Sequence, residues 1–118
     1  MTEKAIKKAA SEHRERNREL KGCFEARQVD LSEARPVEFH FWAWTQRDAA
    51  VLARGLYEMG FLIRLLAPAP SSEDADRWAV DAGAKIPLEQ ALGEELADKL
   101  IRLAGKDDAV FDGWGASV

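Results

Sequence analysis

Hydrophobic and polar residues alternate strictly along the segment VEFHFWAW, residues 37–44. One side of this segment carries Val37, Phe39, Phe41 and Ala43, and the other carries Glu38, His40, Trp42 and Trp44. A period of two residues, with aromatic and β-branched side chains, predicts a strand whose more apolar side packs against a core. We therefore expect His40, Trp42 and Trp44 to face away from that core.

The rest of the chain alternates between helical and extended patterns. Residues 3–21 lack Gly and Pro and predict a solvated leading helix with a thin apolar stripe, ended by Gly22. Thr45 and Asp48 have the spacing of a helix cap, and apolar residues then recur at helical spacing as far as Gly60. Two further predicted strands, FLIRLLAP and RWAVDAG, flank the acidic turn SSEDAD. A helix begun by Pro87 precedes a last strand, AVFDGWG, and its expected core face consists of Leu88, Leu92, Leu96, Leu100 and Leu103.

After the leading helix, the predicted order of elements is β-α-β-β-α-β. With right-handed crossovers this order gives an α+β, ferredoxin-like sandwich, in which two helices cover one face of a four-stranded antiparallel sheet. The predicted organisation is a helix and linker over residues 1–28, followed by the ferredoxin-like domain over residues 37–118. The sheet face opposite the helices is left open.

Trp114 stands between Gly113 and Gly115, which is typical of either a core anchor at a bulged strand end or a displayed contact residue. The last strand should lie beside the first, and alternation from an inward Phe111 turns Asp112 and Trp114 outward. The candidate partner-binding set on the open face is therefore His40, Trp42, Trp44, Asp112 and Trp114. Such an aromatic patch indicates an interface with a different protein, an interface with a second copy, or a surface that the leading helix covers.

Composition and charge narrow the class of protein. The chain has 118 residues, of which 47% are hydrophobic and 32% charged, as in an ordinary globular domain. It contains no membrane-length apolar run and no signal-peptide pattern, so we expect a cytoplasmic protein without a membrane partner. The net charge is −4, with the basic residues concentrated in residues 1–28 and the acidic residues in the remainder. An acidic body disfavours direct binding to nucleic acid and favours basic protein surfaces.

The sequence offers no pattern for catalysis or for a cofactor. Cys23 is the single cysteine, and with His13 and His40 it does not make up a zinc ligand set at any recognised spacing. No nucleophile and base pair or phosphate loop is evident, so we expect no enzyme activity. An RNA-binding sheet of the RRM type shares the predicted order of elements, but the third strand lacks its aromatic motif. His40 is interpreted as an ordinary surface or interface residue, and Asp112 as a partner for Arg77 or Arg64 or as a contact for a basic partner.

Several features together resemble one known family. They are the ending FDGWG, the aromatic first strand, the sequence EMGF before the second strand, the acidic turn and the leucine-rich helix. Over residues 37–115 the chain resembles the regulator of ribonuclease E activity B family. The resemblance implies a ferredoxin-like domain that has no catalytic activity, binds ribonuclease E and lowers RNA turnover. It assigns Asp112, Gly113, Trp114 and Gly115 to the family's closing motif, with a structural role.

Overall fold

A computed structural model describes residues 2–69 and 77–117, so the predicted acidic turn lies outside the described residues. The helices are α1 (Glu3–Ala26), α2 (Gln46–Glu58), α3 (Leu88–Leu92) and α4 (Glu94–Lys106). The strands are β1 (Ala34–Ala43), β2 (Leu62–Pro68), β3 (Trp78–Pro87) and β4 (Ala109–Ala116). No helix within these ranges is long and apolar enough to cross a membrane.

The described strands form one four-stranded sheet with the order β2-β3-β1-β4, in which every neighbouring pair is antiparallel. This is the strand order of a ferredoxin-like sandwich, and the predicted α+β class is confirmed. Val37, Phe39 and Phe41 of β1 are buried beneath the helices, as the alternation predicts. The helices α1, α2 and α4 contribute to the same hydrophobic core as these residues, so they cover the same sheet face. We call the opposite face the open face.

The helix after β1 begins where the sequence predicts. The Thr45 hydroxyl accepts a hydrogen bond from the backbone N–H of Asp48 at 3.1 Å, which satisfies a donor that the first turn would otherwise leave unpaired. Leu52 and Leu56 are fully buried on the face that meets the sheet. Past the end of α2, Gly60 adopts a φ of 98°, which favours glycine and turns the chain toward β2.

The predicted leucine-rich helix is two helices, which meet at Gly93. Gly93 has an extended conformation, so the helical periodicity is not continuous from α3 into α4. The buried face of α4 consists of Ala97, Leu100, Ile101 and Ala104. The single leucine face predicted from the sequence is wrong in detail, because Leu96 and Leu103 are only half-buried.

The leading helix continues past Gly22 as far as Ala26, so the predicted stop is wrong. Phe24 is buried in the core, and packing of this size outweighs the cost of about 1 kcal/mol for glycine inside a helix. On the side of α4, Arg14 pairs with Glu94 at 2.6 Å and Glu3 pairs with Arg102 at 3.0 Å. The leading helix therefore packs beside α4 and does not cover the open face.

A β-bulge in β4 reverses the predicted orientation of Trp114. Phe41 pairs with Phe111 and His40 pairs with Gly113, which leaves Asp112 as the extra residue. Gly113 adopts a φ of 137°, a conformation that disfavours other residues, and an added Cβ there would collide with the Arg16 guanidinium. Because the bulge inserts one residue, Trp114 points to the same side as Phe111 and is only 9% exposed. The expectation that Trp114 lies on the open face is wrong, since strict alternation does not allow for a bulge.

Trp114 instead fastens α1 to the sheet. Its indole N–H donates to the Oδ1 atom of Asn17 at 2.9 Å, and the Asn17 amide nitrogen donates to the carbonyl of Leu92 at 3.4 Å. The Trp114 ring also packs against Phe24 with a centroid separation of 6.3 Å. One turn before Asn17, the His13 ring stacks on Phe111 at 4.5 Å. Asp112 and Trp114 of the closing motif thus both form hydrogen bonds to α1.

Truncation of a core leucine tests the corrected face of α4. We expect Leu100→Ala to lower the free energy of unfolding by about 2–5 kcal/mol, because Leu100 is fully buried and the substitution leaves a cavity. Leu96→Ala is the matched control and should cost clearly less, since Leu96 is half-buried. Urea denaturation of both variants measures the difference. Equal losses would show that the face is wrongly assigned.

The contact between Trp114 and Asn17 is tested by a double-mutant cycle. Trp114→Phe leaves the buried Asn17 oxygen without its donor, and we expect a loss of about 1–3 kcal/mol in the free energy of unfolding. Asn17→Ala removes the acceptor instead. The double variant should cost less than the sum of the two single variants, because the second substitution finds the hydrogen bond already lost. Additive losses would contradict this coupling.

His13 should make stability depend on pH. Burial lowers the pKa of His13, and the nearby Arg16 guanidinium lowers it further, while the carbonyl of Phe111, Glu12 and Asp112 act in the opposite direction. Between the ordinary histidine pKa of about 6.5 and the lowered pKa of the folded chain, His13 is protonated in the unfolded chain and neutral in the folded chain. The free energy of unfolding should therefore fall on acidification, by at most about 1.4 kcal/mol per pH unit, until the lowered pKa is reached.

Urea denaturation at pH 7.5 and pH 5.5 measures this dependence. His13→Gln is the control variant, because its amide can still donate to the carbonyl of Phe111 but does not titrate. We expect the loss between the two pH values to be smaller in His13→Gln than in the unsubstituted chain. An identical loss in both chains would mean that other groups cause the dependence.

Candidate protein-binding surface on the open sheet face

The centre of the open face is formed by the polar side of β1. Glu38, His40 and Trp42 alternate with the buried residues of the strand and are half-buried, and Trp44 follows at its end. The antiparallel register of β1 and β3 places Asp81 directly beside His40 and Gly83 directly beside Glu38. Cross-strand neighbours share a face, so these side chains form one continuous surface.

His40 lies between two carboxylates. Its Nδ1 atom is 2.8 Å from Oδ1 of Asp81 and 3.9 Å from Oε1 of Glu38. The short distance to Asp81 is that of a hydrogen bond from the ring N–H, which fixes the orientation of the imidazole. Glu38, His40 and Asp81 each have one nitrogen or oxygen atom that could bind a metal ion, and these three atoms lie within 4.8 Å of one another. The hydrogen bond from His40 to Asp81 accounts for this arrangement without an ion.

A second cluster lies at the other end of β1. The rings of Trp42 and Trp44 meet edge to face, with centroids 4.8 Å apart and an interplanar angle of 83°. The guanidinium carbon of Arg77 lies 3.9 Å from the Trp42 centroid and 5.2 Å from the Trp44 centroid. Trp44 is 53% exposed, which is high for the largest apolar side chain. We call Trp42 and Trp44 the two-tryptophan notch.

A groove of about 830 Å³ crosses the open face at the end of the sheet away from the notch. Its floor contains Gly83 and Gly115, which flank Glu38 on either side in one cross-strand row. An added Cβ at Gly115 would meet nothing within 4 Å, whereas one at Gly83 would lie 3.0 Å from the Arg64 side chain. Gly115 is therefore a strand glycine that no contact with the described residues requires, which is typical of a place where another molecule approaches the backbone.

The charges on the open face are mixed. Glu38 and Asp81 are acidic, while Arg64 and Lys85 line the groove and Arg77 covers the notch. A surface that binds a phosphate backbone concentrates positive charge, whereas protein interfaces place both signs around apolar anchors. These features favour a protein partner over a nucleic acid.

The structure brings together three of the five residues that the sequence predicts for this surface. His40, Trp42 and Trp44 lie on the open face, and Asp112 is exposed at the bulge in the edge strand β4. The carbonyl of Asp112 accepts a hydrogen bond from Arg16 at 2.5 Å, so α1 contacts this position. Trp114 is the exception, because it is buried against α1.

Sequence reasoning missed Asp81 and the contact of Arg77 with the notch. Each of these contacts joins residues that are distant in the sequence, and only the register of β1 and β3 shows which of them meet. The signal available in the sequence was weak. Asp81 is a polar residue in the otherwise apolar segment WAVDAG, which marks it as a side chain of the less buried face.

The chain is similar in sequence to known proteins of one family. The model of the family described as regulator of ribonuclease activity B matches residues 14–116, which include α1 from Arg14 onward, the whole sheet and the closing motif. A regulator of ribonuclease activity B from Photobacterium profundum is 34% identical over 88 residues, covering 67% of this chain and 61% of that protein. The chain thus spans about three-fifths of the length of this relative. With most of its residues matched by the family model, the chain belongs to the regulator of ribonuclease activity B family.

Proposed function

We propose that this protein binds ribonuclease E and lowers its cleavage of RNA, by contact through the open face and without catalysis of its own. The family name describes regulation of a ribonuclease, and a regulator of this kind acts on a protein partner. Ribonuclease E is the partner that the resemblance in the closing motif implies. We accordingly propose that the protein acts in the cytoplasm.

The observation that supports the proposal is that the open face is accessible. The leading helix packs on the other side of the sheet, so the described part of the chain leaves the notch and the groove accessible. Interface anchors are enriched in tryptophan and arginine, and both residue types meet in the notch. His40, Trp42 and Trp44 are the proposed contact residues, with Asp112 at the margin of the surface.

Trp114 has no direct part in this proposal. Because it is buried against Asn17, its substitution alters the position of α1 and the fold before it alters any contact surface. A loss of binding in a Trp114 variant therefore would not locate the interface. The groove offers a cleaner probe, since Gly115 has room for a side chain.

Calorimetric titration with ribonuclease E, combined with an RNA cleavage assay, tests the proposal. We expect saturable binding and slower cleavage with the unsubstituted chain. Gly115→Leu should weaken binding about tenfold or more, because the new side chain enters the groove from a position where an added Cβ meets no described atom within 4 Å. Gly22→Leu is the matched control on α1, where an added Cβ also meets nothing within 4 Å, and it should leave binding unchanged.

A second pair of variants tests the aromatic end of the surface. Trp44→Ala removes an exposed aromatic residue from the open face, and Tyr57→Ala removes one that is 69% exposed on α2. Only Trp44→Ala should weaken binding. Three results contradict the proposal: no binding at micromolar concentrations, equal binding by Gly115→Leu and the unsubstituted chain, or slower cleavage explained by titration of the RNA itself. Self-association that Gly115→Leu abolishes, without binding to ribonuclease E, would assign the face to a second copy.

A further inference from the structure

Two carboxylates and one imidazole meet at the centre of the open face. The Nδ1 atom of His40 lies 2.8 Å from Oδ1 of Asp81 and 3.9 Å from Oε1 of Glu38, and donor atoms of all three side chains lie within 4.8 Å of one another. We call these three residues the central cluster. Glu38 and His40 are two residues apart on β1, and Asp81 is the neighbour of His40 on β3, so the two inner strands of the sheet hold the cluster.

The negative charge of the central cluster is only partly compensated. Within the described ranges, the bond from His40 is the one hydrogen bond that the Asp81 side chain accepts, and the Glu38 side chain accepts none. No described lysine or arginine forms an ion pair with either carboxylate, although Arg64 and Lys85 line the same groove. Two carboxylates and at most one imidazolium leave a net negative charge, and like charges this close repel each other. A cation between the three groups removes that repulsion.

Glycines flank the central cluster on both neighbouring strands. Glu38 pairs with Gly83 on β3 and with Gly115 on β4, and His40 pairs with Gly113 on β4. Three of the four cross-strand neighbours of these two residues therefore have no side chain. Glu38 and His40 also line the groove, so an ion and its water ligands reach the cluster from the solvent.

The donor atoms suit a first-row divalent metal ion such as Zn²⁺. Nitrogen and oxygen ligands lie about 2.0–2.2 Å from zinc, so neighbouring ligand atoms around one ion are about 3.0–3.6 Å apart. The observed separations of 2.8 and 3.9 Å lie on either side of this range, and rotation of the long, half-buried Glu38 side chain adjusts the wider one. The imidazole nitrogen favours zinc over magnesium and calcium, because those two ions select oxygen ligands.

We propose that Glu38, His40 and Asp81 form a binding site for Zn²⁺ or a similar first-row divalent ion. The hydrogen bond between His40 and Asp81 explains their closeness without an ion, and it also holds a ring nitrogen and a carboxylate oxygen at nearly the spacing of two ligands. On binding, the ion takes the position of the shared proton, and the neutral imidazole carries its proton on Nε2 instead. Three protein ligands leave at least one coordination position for water. Cysteine and histidine spacing in the sequence does not reveal such a site, because two of its three ligands are carboxylates and one of them belongs to a distant strand.

Titration of the full chain with Zn²⁺ tests the proposal. The chain is labelled with ¹⁵N, the ring nitrogens of His40 and His13 are followed by NMR, and Cys23→Ser removes the exposed thiol as a competing ligand. We expect Zn²⁺ to shift the His40 ring nitrogens saturably, with one ion bound per chain, and EDTA to reverse the shift. Mg²⁺ at the same concentrations is the matched control ion and should leave them in place. The buried His13 ring, bonded to the carbonyl of Phe111, is an internal control that should not move.

Variants of the ligands locate the bound ion. Asp81→Asn removes the charge of one ligand but keeps an oxygen that accepts the hydrogen bond from His40. It should weaken Zn²⁺ binding about tenfold or more, since even the loss of a group that only supports a metal ligand typically costs about 10–100-fold. Glu95→Gln is the matched control, because Glu95 is an exposed carboxylate on α4, and it should leave the midpoint unchanged. The Trp114 indole resonance reports whether each variant is folded, and His40→Gln provides a second test variant.

Equal shifts with Zn²⁺ and Mg²⁺, or the same Zn²⁺ midpoint with and without the Asp81 carboxylate, overturn the proposal. Equal weakening by Glu95→Gln and Asp81→Asn also overturns it, because the response then reflects the overall charge of the chain. These titrations contain no ribonuclease E, so they succeed or fail independently of the proposed function. A chain that binds ribonuclease E but not Zn²⁺ retains the function and loses the metal site. A chain that binds Zn²⁺ at the central cluster but does not bind ribonuclease E retains the metal site and loses the proposed partner.

Discussion

The hydrogen bond between Trp114 and Asn17 is the contact on which the arrangement of this protein depends. A buried amide must satisfy both its oxygen and its nitrogen, and Asn17 does so with the Trp114 indole at 2.9 Å and the Leu92 carbonyl at 3.4 Å. One side chain thereby joins β4, α1 and the end of α3. The geometry is possible only because the bulge at Gly113 turns Trp114 toward the helices. The two glycines around the tryptophan have different roles, since Gly113 supplies the unusual backbone conformation and Gly115 lies on the floor of the groove.

This contact determines which face of the sheet remains accessible. An amphipathic helix can bury its apolar stripe against either face of a four-stranded sheet. The hydrogen bonds of Asn17 with Trp114 and Leu92 hold α1 on the face next to α4. His13 and Arg16 reinforce that choice, because they contact the carbonyls of Phe111 and Asp112 along the outer edge of β4. These contacts also occupy an edge that would otherwise offer backbone groups to another strand. The open face is thus accessible as a consequence of how α1 is held. Trp114 of the closing motif holds α1, and Gly115 of the same motif lies on the groove floor.

The order of elements and the covered face of β1 were predictable because they depend on local periodicity. Thr45 as a helix cap, and the inward set of Val37, Phe39 and Phe41, follow from spacing alone. The position of Trp114 did not follow, because a bulge changes the side of every later residue while leaving the sequence pattern intact. A glycine within the strand was a hint of the bulge, but its consequence required the register of β1 against β4. For the same reason the partners of His40 and Trp42 became visible only with the sheet assembled, since Asp81 and Arg77 belong to the distant strand β3 and its approach.

The family assignment and the geometry supply different parts of the functional argument. Membership describes regulation of a ribonuclease, and it says nothing about which surface makes contact. The sheet supplies that surface, because β1 lies between β3 and β4 and contributes its apolar side to the core and its polar side to the open face. The notch at one end and the groove at the other are both built around this strand, so a partner that occupies both ends must follow β1 along its length. A segment of about ten extended residues matches the ten residues of β1, since both rise by roughly 3.3 Å per residue. We therefore propose that the partner contact runs along β1, from the groove to the two-tryptophan notch.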